Sequence, residues 1–454
     1  MAETECPNCE RLKATIARLE RRIAELERAG YRQAAPYSKG EPKEDPKTRG
    51  RKPGEDYGVK ACRQPPEKVD EVVSVLLPSR CDCGGDVAYE ETVEQFQTEI
   101  PKKPIHRRFD ICVGRCQRCG KRVQGRHPLQ TSDAIGAAAP QMGADAQAMT
   151  AILKDKVGVS YGDIETIFHD FFGVSLSRGG AAHIVVRAAE RAQAAYGGIE
   201  IVVRRSRVCY PDETGWKVEG LLQWLWTFVA RTATYFIIQP SRGFDVPERI
   251  LGADWSGTLV HDGWMPYDRF KEADHQQCLG HIDRRSKGLL EIATRGAVRF
   301  PRAIRALLGD ALDLRDRRDA NEVSPHGVAV ATGRLEGRLE DLLDGRLSHR
   351  ANRRLRRHIS RHRNQIFTFL RRRGIEATSW PADHAIRPAV ANRKVFGGNR
   401  DLAGARAQSI LSSIFATCVQ RGVATFHYLS QVLRAPPDIR DRVACRLLGL
   451  PQPV

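Results

Sequence analysis

The hydrophobic pattern of this chain changes period near residue 206, and this change constrains the fold most strongly. The segments RVCYPDETGW, LLQWLWTFVA and ATYFIIQP, which follow that point, are short runs of β-branched and aromatic residues with turns between them. Such runs are typical of strands. A predicted helix from Val246 to Leu251 and a fourth strand, GTLVHD, come next. The sequence therefore predicts an α/β domain.

Two acidic residues accompany these strands. Three strands, a helix, a strand and further helices form the order of a ribonuclease-H-like domain. We predict Asp212 just beyond the end of the first strand and Asp262 just beyond the fourth. Carboxylates at neighbouring strand ends suit a pair of Mg²⁺ or Mn²⁺ ions that cut a phosphodiester. An aspartate at a strand end is also a common turn residue, so each one alone indicates little.

A third carboxylate is expected from a later helix. After an Arg-rich helical stretch, the segment 374–400 contains two acidic residues, Glu376 and Asp383. Pro381 suits the first position of a helix and Asp383 its first turn, where it serves as a metal ligand or only as a capping charge. We expect Pro388 to limit this helix to about two turns. The basic residues that follow are expected to bind DNA phosphates: Arg387, Arg393 and Lys394.

Charge and length narrow the class of protein. The 454 residues include 73 Lys and Arg against 55 Asp and Glu, a formal net charge of +18, which favours a polyanionic partner. A membrane surface is the rival, but no apolar run approaches the roughly 20 residues that a spanning helix needs. The polar start MAETECPNCE is not a signal peptide. We therefore expect a multidomain, cytoplasmic, DNA-binding protein without a membrane partner.

Clustered cysteines indicate structural zinc. Cys81-x-Cys83-Gly and Cys116-x-x-Cys119-Gly flank a segment of strand-like alternation, and two cysteine pairs joined by strands predict a zinc ribbon with four thiolate ligands. Cys112 is a spare thiol that can replace one ligand. The first pair is one residue shorter than the usual spacing.

The N-terminal part predicts self-association and a flexible arm. An apolar stripe of coiled-coil spacing runs from Leu12 to Leu26, on a helix that either self-associates or packs on its own domain. The following segment is rich in Pro, Gly and charge and is expected to be a disordered linker. Its basic residues Arg49, Arg51 and Lys52 either enter a DNA minor groove or stay solvated.

A pair of helices is predicted between the cysteines and the strands. Ser160 begins one helix, Gly173 ends it, and a second begins near Ser177. This spacing fits a helix-turn-helix that presents Arg178 and His183 to DNA, and it fits an ordinary helical hairpin nearly as well.

The whole set of motifs resembles the insertion sequence 66 family of DDE-type transposases. The shared motifs are the N-terminal leucine stripe, GRKPG, the cysteine pairs, DETGW, SRG, LVHDGWMPY, QQCLGHIDRR and IRPAVANRKVFGGNR. The resemblance implies a catalytic domain with an inserted helical region, a zinc-binding domain before it, and metal-dependent DNA cleavage followed by strand transfer.

The resemblance assigns roles to individual residues. Asp212 and Asp262 fall on the family's first two acidic positions, and Asp383 aligns with the third, where the family has Glu in a stretch resembling Asn-x-x-Glu-Arg. Asp is one methylene shorter, which removes roughly 1.5 Å of reach. Cys278 and His281 match a Cys-x-x-His element, for which we favour supporting or packing roles over a zinc site.

These observations predict one domain organisation and leave three alternative functions. The expected regions are a coiled-coil helix at 1–30, a linker at 31–70, a zinc-binding domain at 71–130, a helix-turn-helix-like region at 135–198, a ribonuclease-H-like core at 199–288 and 376–425, a helical insertion at 289–375 and a tail at 426–454. The leading function is an active, nucleoid-associated bacterial transposase that binds transposon ends and target DNA as a homo-oligomer, with or without accessory element-encoded proteins. The alternatives are a DNA-binding protein that has lost catalysis and binds or represses element ends, and a nuclease or resolvase without strand transfer.

Overall fold

The structure is a computed structural model that describes residues 104–135, 141–347 and 349–453, with positions 16, 66, 68–70, 72–74 and 94–96 nearer the N-terminus. The predicted coiled-coil helix, of which only Ile16 is described, therefore lies outside the described residues. So do the basic arm residues Arg49, Arg51 and Lys52 and the first cysteine pair, Cys81 and Cys83. Residues 106–454 form one compact unit.

The described elements are seven strands and fourteen α-helices. The strands are β1 Val113–Arg115, β2 Arg122–Gln124, β3 Val208–Val218, β4 Leu221–Val229, β5 Thr234–Gln239, β6 Thr258–His261 and β7 Asp274–Gln277. The helices are α1 Ala144–Ala151, α2 Tyr161–Phe172, α3 Arg178–Arg191, α4 Gln193–Arg204, α5 Asp245–Leu251, α6 Leu279–Ile292, α7 Arg299–Asp319, α8 Pro325–Asp344, α9 Arg350–Arg361, α10 Thr368–Arg371, α11 Trp380–Phe396, α12 Leu402–Gln420, α13 Thr425–Arg434 and α14 Pro437–Leu447. A π-helical segment, Ile152–Val157, continues α1.

The second cysteine pair lies in the turn of a small hairpin. Strands β1 and β2 pair antiparallel, and the Gly120 amide donates to the Cys116 carbonyl at 2.8 Å. Gly120 has a φ of 70°, which only glycine adopts without strain. The predicted strand-like alternation before this hairpin is wrong for residues 94–96 and 104–112, which have no regular structure.

The helix pair begins and ends where its capping residues predict. The Ser160 side chain accepts a hydrogen bond from the Asp163 amide at the start of α2, and Gly173 ends that helix in the left-handed conformation. Ser177 caps α3 through the Gly180 amide. These side chains satisfy amides that have no partner inside the helix, which fixes both starts.

A mixed five-stranded sheet forms the centre of the molecule. Its strand order is β5-β4-β3-β6-β7; β3, β4 and β5 pair antiparallel, whereas β6 and β7 run parallel to β3. The predicted strands, the helix α5 and their order are confirmed. The predicted position of Asp212 is wrong, because this residue lies inside β3. The polar DETGW segment continues the strand since it pairs with β4 up to Val218.

Apolar side chains cover both faces of the sheet. On one face, Trp226 and Phe228 pack with helices α3, α4 and α12 in the largest core cluster. On the other face, Tyr210, Val229 and Val260 pack with α6, α7 and α10. Because successive side chains of a strand point to opposite faces, β3 contributes Cys209 to the first cluster and Tyr210 to the second.

The proline in α11 does not end the helix. The sequence predicted about two turns, but α11 runs for 17 residues with Pro388 inside it. Pro388 is exposed, while Ala382, Ile386 and Ala389 on the other side are buried. Burial of that side against β3 and β4 offsets the hydrogen bond that a proline removes.

The C-terminal segment is helical and belongs to the core. Leu429 and Val432 of α13 and Cys445 of α14 are buried in the largest cluster. Among the described residues, one helix, the 19-residue α12, is long and apolar enough to cross a bilayer, so the prediction that no apolar run approaches this length is wrong. Since 61% of that stretch is buried inside the protein, α12 is a core helix.

Candidate active site

Asp212 and Asp262 lie side by side where two parallel strands separate. Val208 pairs with Thr258 and Cys209 with Leu259, so the last paired residues lie three positions before Asp212 and Asp262. The pairing of β3 with β6 stops after Cys209, whereas β6 stays paired with β7 to its end. The charge of Asp262 acts on Asp212, so the two residues are neighbours where the strands separate, and each is half-buried.

Nearby charge and burial disfavour ionisation of Asp212. Burial, with a smaller contribution from the neighbouring charges of Asp262 and Asp383, raises its pKa to about 6, against the hydrogen bond from the Glu213 amide and the attraction of His281. The Asp262 Oδ1 atom accepts from the Trp264 amide at 2.8 Å, which holds the turn after β6. Asp212 is thus within electrostatic reach of the other two carboxylates, and this combination favours a bound cation.

Asp383 differs from the two strand carboxylates in its setting. It lies in the first turn of α11, where sequence placed it, with Pro381 at the start of the helix. Its side chain is 55% exposed and accepts from Arg387 at 2.5 Å. Within the described part of the chain, no group of three or more His, Cys, Asp or Glu side chains is spaced to hold a metal ion. The three carboxylates are neighbours, but they are not arranged as a finished site.

Cys278 and His281 connect the sheet to the start of α11. Cys278 is buried and accepts from the amide and the hydroxyl of Ser379 at 3.1 and 3.2 Å, and the Leu279 amide donates to the Ala377 carbonyl. Burial alone would raise the pKa of Cys278, but hydrogen bonds from His281 and Ser379 lower it to about 7. The hydrogen bond with Cys278 raises the pKa of His281, to which Asp262 also contributes.

A polar and aromatic cluster lies on the opposite side of β3, and sequence reasoning missed it. Glu213 is 8% exposed and pairs with Arg242 at 2.8 Å, while the Arg242 guanidinium lies 4.6 Å from the Trp224 ring and 5.2 Å from the Trp264 ring. Burial raises the pKa of Glu213 to about 7, against the hydrogen bond from Arg242. The signal was present in the sequence, because consecutive acidic residues in a strand must point to opposite faces.

Helix α9 reaches the turn that follows Asp262. Gly263 has a φ of 88°, and a Cβ there would lie 2.5 Å from Gln277 Oε1 and 2.6 Å from His358 Cε1. Only glycine therefore fits this position, for its backbone conformation and for its close contacts. The Nε2 atom of His358 is buried without a hydrogen-bond partner. Sequence reasoning did not find His358, since no local pattern relates it to Asp262.

The predicted basic and zinc-binding residues have different surroundings. Arg393 is partly buried and donates to Gly215 O and Thr214 Oγ1, which joins α11 to β3. Lys394 is exposed. Arg178 is 74% exposed and pairs with Glu165 at 3.0 Å. Hydrogen bonds from Cys119 and Arg118 lower the pKa of Cys116, which favours the thiolate that zinc requires. The other half of the predicted zinc site lies outside the described residues.

A mixed sheet flanked by helices, with one carboxylate inside β3 and a neighbouring one directly after β6, is compatible with the catalytic domain of a DNA transposase. The model of the family "Transposase IS66 family" matches residues 140–407, which is more than half of the chain. This protein therefore belongs to the IS66 family of transposases, and its resemblance to that family is confirmed. Proteins of this family act in transposition on DNA and usually use divalent metal ions. A comparison with curated proteins gives no match.

Proposed function

We propose that this protein is an active transposase that cuts DNA at the ends of its element and joins the freed 3′ ends to target DNA. The observation that carries the proposal is that Asp212 and Asp262 are neighbours at the point where β3 and β6 separate. The charge of Asp383, on α11, acts on the same site. The central domain is ribonuclease-H-like, with the insertion at 289–375 between its last strand and α11.

The chemistry of these side chains fits Mg²⁺ or Mn²⁺. Both are hard ions that prefer carboxylate oxygens, and bound cations would relieve the repulsion that contributes to the raised pKa of Asp212. Asp212, Asp262 and Asp383 would hold them. Such ions supply an activated attacking oxygen and stabilise the leaving one.

The residues of the chain orient this site. The Trp264 amide fixes the Asp262 carboxylate, and the Cys278–Ser379 hydrogen bonds hold the start of α11 against the sheet. Arg387 holds Asp383 in an exposed pair, and an exposed pair of this kind contributes little energy. Asp383 can therefore leave Arg387 when the cations and DNA bind, so the metal site is completed only in the complex.

The remaining partners follow from charge and motif. The net charge of +18 favours duplex DNA as the partner. Arg49, Arg51, Lys52 and Arg178 are proposed contacts to the ends, and Cys81, Cys83, Cys116 and Cys119 are proposed zinc ligands. Two ends must be brought together for transposition, so a homo-oligomer formed through the N-terminal helix is part of the proposal, with accessory element-encoded proteins as possible partners.

The second candidate is a DNA-binding protein that has lost catalysis. The ion pair between Asp383 and Arg387, together with the shorter side chain at this position, favours it. Both candidates bind element ends, but only the first cuts them.

The deciding experiment incubates the protein with labelled element ends and a target plasmid, in Mg²⁺ or Mn²⁺, and resolves the products on a sequencing gel. Cleaved ends that become joined to the plasmid support the transposase. Cleavage without joining overturns strand transfer and leaves a nuclease. Binding without cleavage in either metal ion overturns catalysis and supports the second candidate.

A further inference from the structure

Helix α9, within the insertion, carries an unusual stripe of arginines. Six of its twelve residues are Arg and none is acidic. Arg350, Arg354, Arg357 and Arg361 are all exposed and follow one another at intervals of four, three and four positions. These intervals place all four on one side of the helix. We call these four residues the arginine stripe.

The buried side of α9 faces away from the stripe. Asn352, Leu355 and Ile359 are buried, and the Asn352 amide donates to the Ala297 carbonyl at 2.7 Å. These residues lie roughly opposite the stripe at 100° per residue. The helix is therefore fixed to the protein by one side while the arginine stripe faces solvent.

The stripe is hardly neutralised by the protein itself. Within the described residues, Arg350, Arg354 and Arg357 have no acidic partner, and only Arg361 forms an ion pair, with Asp268 at 3.0 Å. Like charges three and four residues apart on a helix repel one another. Because α9 contains no Asp or Glu that could offset this repulsion, the stripe suits a ligand with regularly spaced negative charge.

The C-terminal end of α9 is attached to the candidate active site. Arg361 donates to Met265 Sδ at 3.0 Å and to Asp268 at 3.0 Å, and both residues belong to the turn of helix that follows Asp262. His358 packs against Gly263, the residue after Asp262. The Arg361 end of the stripe therefore lies at the helical turn Met265–Arg269 that follows Asp262. From there the stripe extends for about 16 Å to Arg350, since each of eleven residues adds a rise of about 1.5 Å.

We propose that the arginine stripe of α9 binds the sugar–phosphate backbone of duplex DNA that flanks the cleaved phosphate. The inference rests on the proposed function, because it needs DNA at the carboxylates. Guanidinium groups bind phosphate oxygens without reading sequence. The length of the stripe corresponds to about five base pairs at 3.4 Å each. The insertion thus serves as one wall of the DNA channel and not only as packing against the sheet.

The test compares two pairs of substitutions in the full-length protein. Arg354→Gln with Arg357→Gln removes two charges from the stripe. Arg442→Gln with Arg446→Gln is the matched control: both arginines are exposed on one side of α14, and within the described residues neither has an acidic partner. Glutamine keeps a similar helix propensity. Binding to a duplex that carries the element end is measured by fluorescence anisotropy at a series of salt concentrations.

The stripe variant should bind about tenfold more weakly at low salt. The slope of log K against log salt should become shallower by about 1.8, since each lost phosphate contact contributes about 0.9. The control pair should leave the slope unchanged. Arg354→Lys with Arg357→Lys should keep most of the slope, because lysine still neutralises phosphate, whereas a purely structural role of the guanidinium groups would not be rescued.

A second measurement places the contact. The duplex is shortened to within five base pairs of the cleavage point, first on one side and then on the other. One of these two truncations should abolish the difference in DNA binding between the natural protein and the stripe variant. Equal slopes for the natural protein and the stripe variant, or a difference that survives shortening on both sides, would overturn the inference. Failure of the natural protein to bind duplex DNA would instead overturn the proposed function.

Discussion

The carboxylates on the strands and the carboxylate on the helix are held in different ways. Asp212 and Asp262 are half-buried; Asp212 pairs with Thr227 of β4, and the Trp264 amide holds the Asp262 carboxylate. Asp383 is exposed on α11 and paired with Arg387. The first two are positioned by the sheet, Asp212 inside β3 and Asp262 in the turn directly after β6, whereas the third depends on how a helix packs and on one exposed ion pair.

This contrast shows which part of the site is rigid and which can adjust. A shift of the sheet register by one residue would move every side chain of the strand to the opposite face, so the register is strongly fixed. A helix can rotate or slide slightly while its buried side remains packed. We therefore expect substitutions of Asp212 and Asp262 to cause the largest losses of cleavage rate, and substitutions around α11 to cause partial losses.

The largest effect is expected from the strand carboxylates. Asp212→Asn or Asp262→Asn should lower the cleavage rate by on the order of a thousandfold or more, because the bound metal ion stabilises the transition state by several kcal/mol and depends on these ligands. Binding to element ends should stay unchanged. Asp313→Asn, at an exposed position of α7, is the control for loss of one acidic charge. Cleavage by either strand variant at the natural rate would contradict the assignment.

A smaller loss is expected at the helix carboxylate. Asp383→Ala should lower cleavage by about a hundredfold, comparable to a misplacement of about 1 Å, and Asp383→Glu should cleave at least as fast as the natural protein since it restores the missing reach. Rates are measured with the same labelled ends. If Asp383→Ala cleaves as the natural protein does, Asp383 is only a capping charge.

The attachment of α11 to the sheet should have a smaller effect on cleavage than either carboxylate position. Cys278→Ala removes the acceptor of two Ser379 hydrogen bonds and should lower cleavage by about tenfold, as for groups that orient metal ligands. Cys278→Ser should recover part of the rate. Unfolding curves of both variants are also measured, because a displaced α11 must be distinguished from a general loss of stability. A rate loss that matches a loss of folded protein would argue against positioning.

The opposite end of α11 should affect stability rather than catalysis. The Asn392 amide donates to the carbonyl of Asp155, a residue of the π-helical segment. Burial raises the pKa of Asp155 to about 7, against the attraction of Lys154. The folded state therefore binds more protons between pH 4 and 7, and the natural protein should lose stability as the pH rises through this range.

Asp155→Asn removes the titrating carboxyl group and with it this pH dependence. The difference in unfolding free energy between Asp155→Asn and the natural protein should therefore shift in favour of the variant from pH 4 to 7, by on the order of a few kcal/mol, and stay constant above pH 7. Lys154→Met removes the attraction and should extend the loss of stability to higher pH. Urea unfolding at pH 5, 6, 7 and 8 measures both. If the difference in unfolding free energy between Asp155→Asn and the natural protein is the same at all four pH values, the pKa of Asp155 is not raised in the folded protein.

The strands were predictable, since alternation of apolar side chains depends on neighbours along the chain, and their order was enough to expect Asp212 and Asp262 near each other. The end of β3 was not, because pairing with β4 carries the strand through a segment that has the composition of a turn. The length of α11 was also missed, since tertiary packing offsets the cost of Pro388. The contact of His358 with Gly263 joins positions 95 residues apart (358 − 263) and has no local signature.

The most direct test of the metal site is cleavage by Asp212→Cys in Mg²⁺ and in Mn²⁺. A thiolate is a softer ligand than a carboxylate, and Mn²⁺ accepts it better than Mg²⁺ does. If Asp212 holds a catalytic cation, this variant should be inactive in Mg²⁺ and should recover cleavage in Mn²⁺. Cleavage at the natural rate in Mg²⁺ would show that the Asp212 carboxylate does not hold the ion, and the account of the site would be wrong.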